Sequence, residues 1–237
     1  MFRFIPSKAR GQANYGWLRT YYSFSFAEYY NPQFIHFGAL RVLNEDRIAP
    51  GYGFSMHPHN NMEIITIPLS GCLLHADSMG NSGIISSGEV QVMSAGTGIL
   101  HSEKNPSKKD EVHLLQIWVF PDKKDVEPRY QHLKLPEFRL NEVFTFLGPE
   151  KEYPALWIHQ KAWFSLLHIE NNTQATYTLK GEKSGVYLFV VEGGIKVNQN
   201  IMKKGDAAEI SDTSILQFFG VGREVSKTLI MEIPFHW

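Results

Sequence analysis

The chain is cut into short apolar or β-branched runs closed by Gly, Ser and Asn, and no stretch carries the apolar periodicity of a long amphipathic helix. In the first half the runs fall at residues 37–43, 63–69, 72–76, 90–93 and 114–120. They are separated by Ser70-Gly71, Gly80-Asn81-Ser82-Gly83 and Ser86-Ser87-Gly88. Runs of this length with such punctuation read as strands, and their spacing predicts an antiparallel sandwich or barrel. The same texture returns at 156–160, 164–170, 186–191, 195–197, 215–219 and 228–233. The chain is therefore expected to be all-β throughout.

Between the two sets lies a charged, proline-bearing stretch, 121–136, which reads as a crossing between a unit at residues 1–135 and one at 136–237. With 237 residues, 43% of them hydrophobic, there is enough apolar material for one large domain or two small ones. The halves echo each other: Ile64-Ile65-Thr66-Ile67-Pro68-Leu69-Ser70-Gly71 is matched by Tyr187-Leu188-Phe189-Val190-Val191-Glu192-Gly193, and Ser87-Gly88-Glu89 by Lys204-Gly205-Asp206.

Two pairs of metal-ligating residue types stand out, His57-Pro58-His59 and His101-Ser102-Glu103. Side chains two apart on a strand leave the same face, so each pair forms a pincer, and Pro58 biases His57 toward an extended backbone. Three imidazoles and a carboxylate make a full protein ligand set for a divalent ion, and two facing pincers would make a cage. Glu63 competes for the carboxylate role, since strand parity places it with His59, and spacing alone does not choose between Glu63 and Glu103. Mapped through the internal echo, His57 and His59 correspond to positions near Leu179 and Gly181, and His101 and Glu103 to positions near Phe218 and Gly220. The second copy thus lacks all four candidates, and no histidine lies between His168 and His236.

The other histidines, 36, 75, 113, 132, 159, 168 and 236, read as solvent-facing or satisfied core residues, with His75 and His113 near enough in sequence to line a pocket. The single cysteine, Cys72, sits in the run Cys72-Leu73-Leu74 and reads as buried strand cysteine rather than as a nucleophile paired with His75. It suits a reducing compartment. Gly96-Thr97-Gly98 reads as a tight connection delivering His101, not as a nucleotide loop. The C-terminal aromatics Phe218, Phe219, Phe235 and Trp237 are expected to pack rather than line a ligand site. Twenty-three basic and 24 acidic residues, with no dense Lys/Arg block, argue against nucleic acid as a direct partner. The cluster Lys108-Lys109-Asp110-Glu111 reads as a solvated loop. Neither a signal-type segment nor a membrane-spanning run is evident, so a cytoplasmic protein is expected.

The stretch from Gly51 through His57-Pro58-His59 to Glu63 resembles the first cupin motif, and Gly98-Ile99-Leu100-His101 the second. Asp77-Ser78-Met79-Gly80, Met93-Ser94-Ala95-Gly96-Thr97-Gly98-Ile99-Leu100-His101-Ser102-Glu103 and Leu115-Gln116-Ile117-Trp118 resemble the pirin family. Gly16-Trp17-Leu18 and Phe24-Ser25-Phe26-Ala27-Glu28-Tyr29-Tyr30 are similar to its bacterial quercetinase-like branch. Two positions depart from the general cupin pattern: Ser70 stands where a closing glycine is expected, and Gly96 replaces a proline. The resemblance covers residues 10–135 and implies a bicupin of two antiparallel, jelly-roll-like β-barrels, with the metal in the N-terminal barrel and a degenerate C-terminal one. It implies that His57, His59, His101 and Glu103 bind one divalent ion, commonly Fe(II), with zinc, nickel, manganese, cobalt or copper as alternatives. Glu63 then falls to a supporting role, orienting a histidine. The activity implied is O2-dependent cleavage of a flavonol such as quercetin with release of carbon monoxide. In it the metal activates the substrate's 3-hydroxyl and 4-keto pair and Glu103 accepts the proton. The alternative is a redox-responsive regulatory protein that binds a protein partner without turnover.

Overall fold

The computed structural model describes residues 1–137, 139–149 and 156–236. Apart from one short 3-10 turn, Ser7–Ala9, every regular element among these residues is a strand. In the N-terminal half a seven-stranded sheet runs in the order Arg129–Lys134, Glu89–Ser94, Glu63–Ser70, Val112–Val119, Leu40–Ile48, Leu18–Tyr22 and Gly11–Asn14. A four-stranded sheet, Gly53–His59, Ile99–Lys104, Cys72–Asp77 and Ser82–Ser86, completes that barrel. The C-terminal half repeats the plan. Its seven-stranded sheet holds Ala207–Ile210, Ser184–Glu192, Ser226–Pro234 and Trp163–Ile169, and its four-stranded sheet runs Gln174–Thr178, Ile215–Val221, Gly194–Val197, Asn200–Lys203. The architecture is the all-β bicupin that the motifs imply.

Most apolar runs became strands within a few residues of their expected limits: 63–69 is Glu63–Ser70 and 186–191 is Ser184–Glu192. Three departures are instructive. The stretch 121–136 is not wholly a crossing, because Arg129–Lys134 pairs with Glu89–Ser94 as the sheet's edge strand. The chain's first strand, Phe2–Ile5, adds to the C-terminal sheet beside Ala207–Ile210. Leu18–Tyr22 alternates buried and exposed residues and was hidden by its polar half, Arg19 and Tyr21.

The two seven-stranded sheets pack face to face, and the largest core lies between the halves. Ile65, Ile67, Leu115, Ile117 and Val119 from one side meet Tyr187, Phe189, Leu229, Met231 and Ile233 from the other. Strands with both faces covered read as continuous apolar runs, which explains the texture of Tyr187 to Val191. The opposite faces line the barrel interiors, and there the halves differ. The C-terminal interior is filled by Leu167, Tyr177, Val186, Leu188, Val190, Ile195 and Phe218. The N-terminal interior is apolar only in two patches, around Leu18, Ile48 and Leu73 and around Ile64, Met93 and Ile99. Between those patches one cross-strand row, Gln91, Thr66, Gln116 and Asn44, is polar and buried.

Strand pairing refines the correspondence between copies. Ala175 opposes Phe218 and Tyr177 opposes Leu216, in strands placed like those bearing His57 and His101. Phe218 and Gly220 occupy the positions of His101 and Glu103 as expected, but Ala175 and Tyr177, rather than Leu179 and Gly181, match His57 and His59. The second site is therefore plugged by side chains. Phe218 is fully buried, and Phe235 packs at the edge of the shared core. Trp237 lies outside the described residues.

The two motif departures have backbone causes. Gly96 has φ 48° and a side chain there would run into the Val126 carbonyl; proline, fixed near −65°, cannot adopt this conformation. Gly71, with φ 74°, supplies the turn that Ser70 cannot.

Candidate metal centre

The strands Gly53–His59 and Ile99–Lys104 are hydrogen-bonded neighbours, with His101 opposite His57 and Ile99 opposite His59. The two pincers therefore lie side by side on one sheet instead of facing across the barrel. His101 and Glu103, two apart on a strand that keeps unbroken register with Cys72–Asp77, both turn inward and are buried, while the register shift against Gly53–His59 falls in that partner strand, between Phe54 and His57. The imidazole centroids are 4.4 Å apart for His57 and His101, 4.8 Å for His57 and His59, and 4.9 Å for His59 and His101. One ring nitrogen from each lies within 4.8 Å of the others.

Protonation suits metal binding. His57 donates from Nδ1 to the Ser55 carbonyl at 2.7 Å, which in the neutral ring selects the tautomer with its lone pair on Nε2. Burial, with the His57 charge adding to it, pushes His59 down to about 4. Burial together with the neighbouring imidazoles pushes His101 down to about 2. Both nitrogens of His101 are buried without a hydrogen-bond partner. A buried imidazole unsatisfied on both sides is costly unless something else takes its lone pair, and a divalent cation fits that need.

Glu103 shares a second cluster of ligand atoms within 4.8 Å with His75 and His101. The polar row grips its carboxylate. Gln116 Nε2 donates to it at 2.6 Å, Thr66 Oγ1 at 3.0 Å and Gln91 Nε2 at 3.2 Å. Burial nevertheless raises its pKa, against the lowering effect of the Thr66 hydroxyl and the nearby imidazoles. His75 is a buried core residue, one of the readings its sequence context allowed, and it adds a ligand nitrogen beside Glu103. It is buried, bonded through Nε2 to Asp77 at 3.2 Å, and stacked on Tyr130 at 4.5 Å behind the site. Cys72 lies on the opposite face of that strand, so no Cys72–His75 pair forms. His113 is engaged elsewhere, with Glu45 at 2.9 Å.

Glu63 does not orient a site histidine. The strand breaks at Asn61, which has φ 46°, and parity is lost. Its carboxylate accepts from Ser94 Oγ at 2.7 Å, and burial lifts it to about 7 despite Ser94 and Arg129. It belongs to neither ligand cluster among the described residues.

A cavity of about 520 Å³ opens over the three histidines, within the ~300–1,000 Å³ usual for small-molecule sites. Trp17, Phe26, Phe54 and Trp118 form its apolar walls, and Asn44, Asp46, Glu103 and Gln116 its polar part. Burial raises Asp46 to about 7, with the charges of Glu103 and Glu45 adding to the effect. Sequence reasoning missed Asn44, Asp46 and Gln116, which sit in strands whose other residues read as ordinary core. A larger cavity of about 970 Å³, bordered by Lys161, Lys180 and Lys183, shares no lining residue with this one.

A two-barrel cupin with a histidine and carboxylate cluster under an aromatic cavity in one barrel, and a side-chain-filled second barrel, is the class that fold and site define. Comparison with known proteins supplies the particular lineage. The Pirin family model matches residues 4–119, and the model of the quercetinase C-terminal cupin domain matches 145–233. A quercetin 2,3-dioxygenase of Escherichia coli O157:H7 is 41% identical, covering 86% of this chain and 84% of that protein. Its counterpart in strain K12 is 37% identical over 95% of each. The crystal structure of the bacterial pirin YhhW of Escherichia coli in complex with nickel(II) superimposes with a TM-score of 0.92 at 35% identity, covering 99% of both chains. The chain belongs to the pirin family. No helix among the described residues is long and apolar enough to cross a membrane.

Proposed function

We propose that this chain is a metal-dependent dioxygenase that opens the ring of a flavonol-type aromatic, using one divalent ion held by His57, His59, His101 and Glu103. The observation that carries the reading is His101, with both nitrogens buried and unpartnered at the base of an aromatic-walled cavity. A divalent ion held there, for which Fe(II) is our choice, would supply Lewis acidity toward a substrate's hydroxyl and keto oxygens and redox chemistry toward dioxygen.

The protein's own groups do the rest. Trp17, Phe26, Phe54 and Trp118 hold a planar ring system and keep water from it. The Nδ1 bond from His57 to Ser55 fixes that ring's tautomer and direction. Glu103, with its proton affinity raised by burial, is placed to accept the hydroxyl proton, and Gln91 and Gln116 hold its orientation. The names of the relatives support quercetin as the first substrate to try.

The test is anaerobic purification, metal analysis, loading with Fe(II), and an assay of quercetin loss together with carbon monoxide release. Absence of carbon monoxide with any of iron, manganese, cobalt, nickel and copper refutes the activity. A His101→Ala variant with full metal content refutes the ligand set, and metal retained in Glu103→Ala but lost in Glu63→Ala reassigns the carboxylate.

A further inference from the structure

Asn44 and Asp46 project from the strand Leu40–Ile48 two positions apart, opposite Gln116 and Leu114 of the neighbouring strand. Both line the histidine cavity, and each is only 4% exposed. Asp46 joins no metal-ligand cluster among the described residues, and Asn44 carries no charge to hold a cation. Gln116 beside them has its nitrogen on Glu103 and its oxygen beside the Thr66 hydroxyl. The amide oxygen of Asn44 is buried with no partner. A buried acceptor left unsatisfied in a cavity wall is stabilised by any ligand that brings a donor to it. Asp46 places a second acceptor next to it, and the facing walls are aromatic.

We infer that Asn44 and Asp46 form a hydroxyl-recognition pair, which selects aromatic substrates bearing phenolic O–H donors away from the metal-chelating oxygens. This rests on the flavonol-type reading above and narrows it to polyhydroxylated rings. An aromatic that offers only the chelating pair fills the apolar walls and leaves the Asn44 oxygen unpaired. Sites built to hydrogen-bond a hydroxyl reject analogues that lack it for this reason.

The experiment is equilibrium binding to nickel(II)-loaded protein under anaerobic conditions, read by quenching of tryptophan fluorescence. Its two probes, quercetin and 3-hydroxyflavone, share the chelating pair and differ in the remaining hydroxyls. Wild type is expected to prefer quercetin by about tenfold or more, the scale of one hydrogen bond to a charged or buried acceptor. Asp46→Asn and Asn44→Leu are expected to bring that ratio toward one while 3-hydroxyflavone affinity changes less than about twofold. Metal content and melting temperature verify the variants, and Asn44→Ser replaces Asn44→Leu if the latter does not fold. A wild-type ratio near one, or a ratio unchanged in the variants while 3-hydroxyflavone still binds, overturns the pair and leaves the proposed function standing. Failure of wild type to bind either probe overturns both.

Discussion

Thr66 is fully buried, and its hydroxyl lies 3.0 Å from both Glu103 Oε1 and Gln116 Oε1. One hydroxyl carries one hydrogen, and a carboxylate is the stronger acceptor, so the bond goes to Glu103. Thr66→Val keeps the shape and deletes that bond. A hydrogen bond to a charged group contributes about 1.5–3 kcal/mol, while the added methyl returns up to about 0.8 kcal/mol. The net cost is about 1–2 kcal/mol, which for a chain of this size lowers Tm by roughly 2–8 °C. The pH dependence has a definite sign. Glu103 already sits above the ordinary carboxylate value because of burial, with Thr66 opposing the rise. Valine lifts it further, so the deficit relative to wild type is fullest in alkaline solution, where Glu103 is ionised. It shrinks as pH falls and Glu103 becomes protonated in both proteins. Melting curves of metal-free wild type and variant across pH measure the difference. A deficit that is constant with pH, or that grows in acid, refutes the assignment of the hydroxyl to an ionised Glu103.

Two further outcomes test the fold around the site. Burial alone would raise Glu45, but His113 and Arg10 outweigh it and hold the carboxyl at about 2, against the ordinary 4.5. That pairing stabilises the protein by about 3 kcal/mol above pH 4.5 and is lost as pH falls toward 2, so the gap between wild type and Glu45→Gln should close over this range in urea titrations. Phe189 is buried in the core shared by the two halves, so Phe189→Ala should cost about 3–5 kcal/mol and lower one common calorimetric transition. Two well-separated transitions would show that the halves unfold independently.

Strand texture was legible because both seven-stranded sheets are covered on each face, so their central strands are runs of apolar residues that stand out against Gly and Ser turns. The ligand pairs were legible because a strand's period of two is local: His57 with His59, and His101 with Glu103, need no tertiary information to share a face. Edge strands such as Arg129–Lys134 escaped notice because one row of their side chains faces solvent, and charge there looks like a loop.

What depended on tertiary structure was everything carried across strands. Parity placed Glu63 on the face of His59 only on the assumption of a regular strand, and with the kink at Asn61 its carboxylate lies instead with Ser94 and Arg129. The polar row Gln91, Thr66, Gln116 and Asn44 is assembled from four strands by register, so none of its members signals its neighbours along the chain. The sequence by itself determined that three imidazoles and a carboxylate emerge in pairs from an all-β chain, since that follows from backbone geometry over three residues. Only the tertiary structure decided where each carboxylate sits, what holds it, and which barrel keeps an open interior, because those depend on residues brought together from distant parts of the chain.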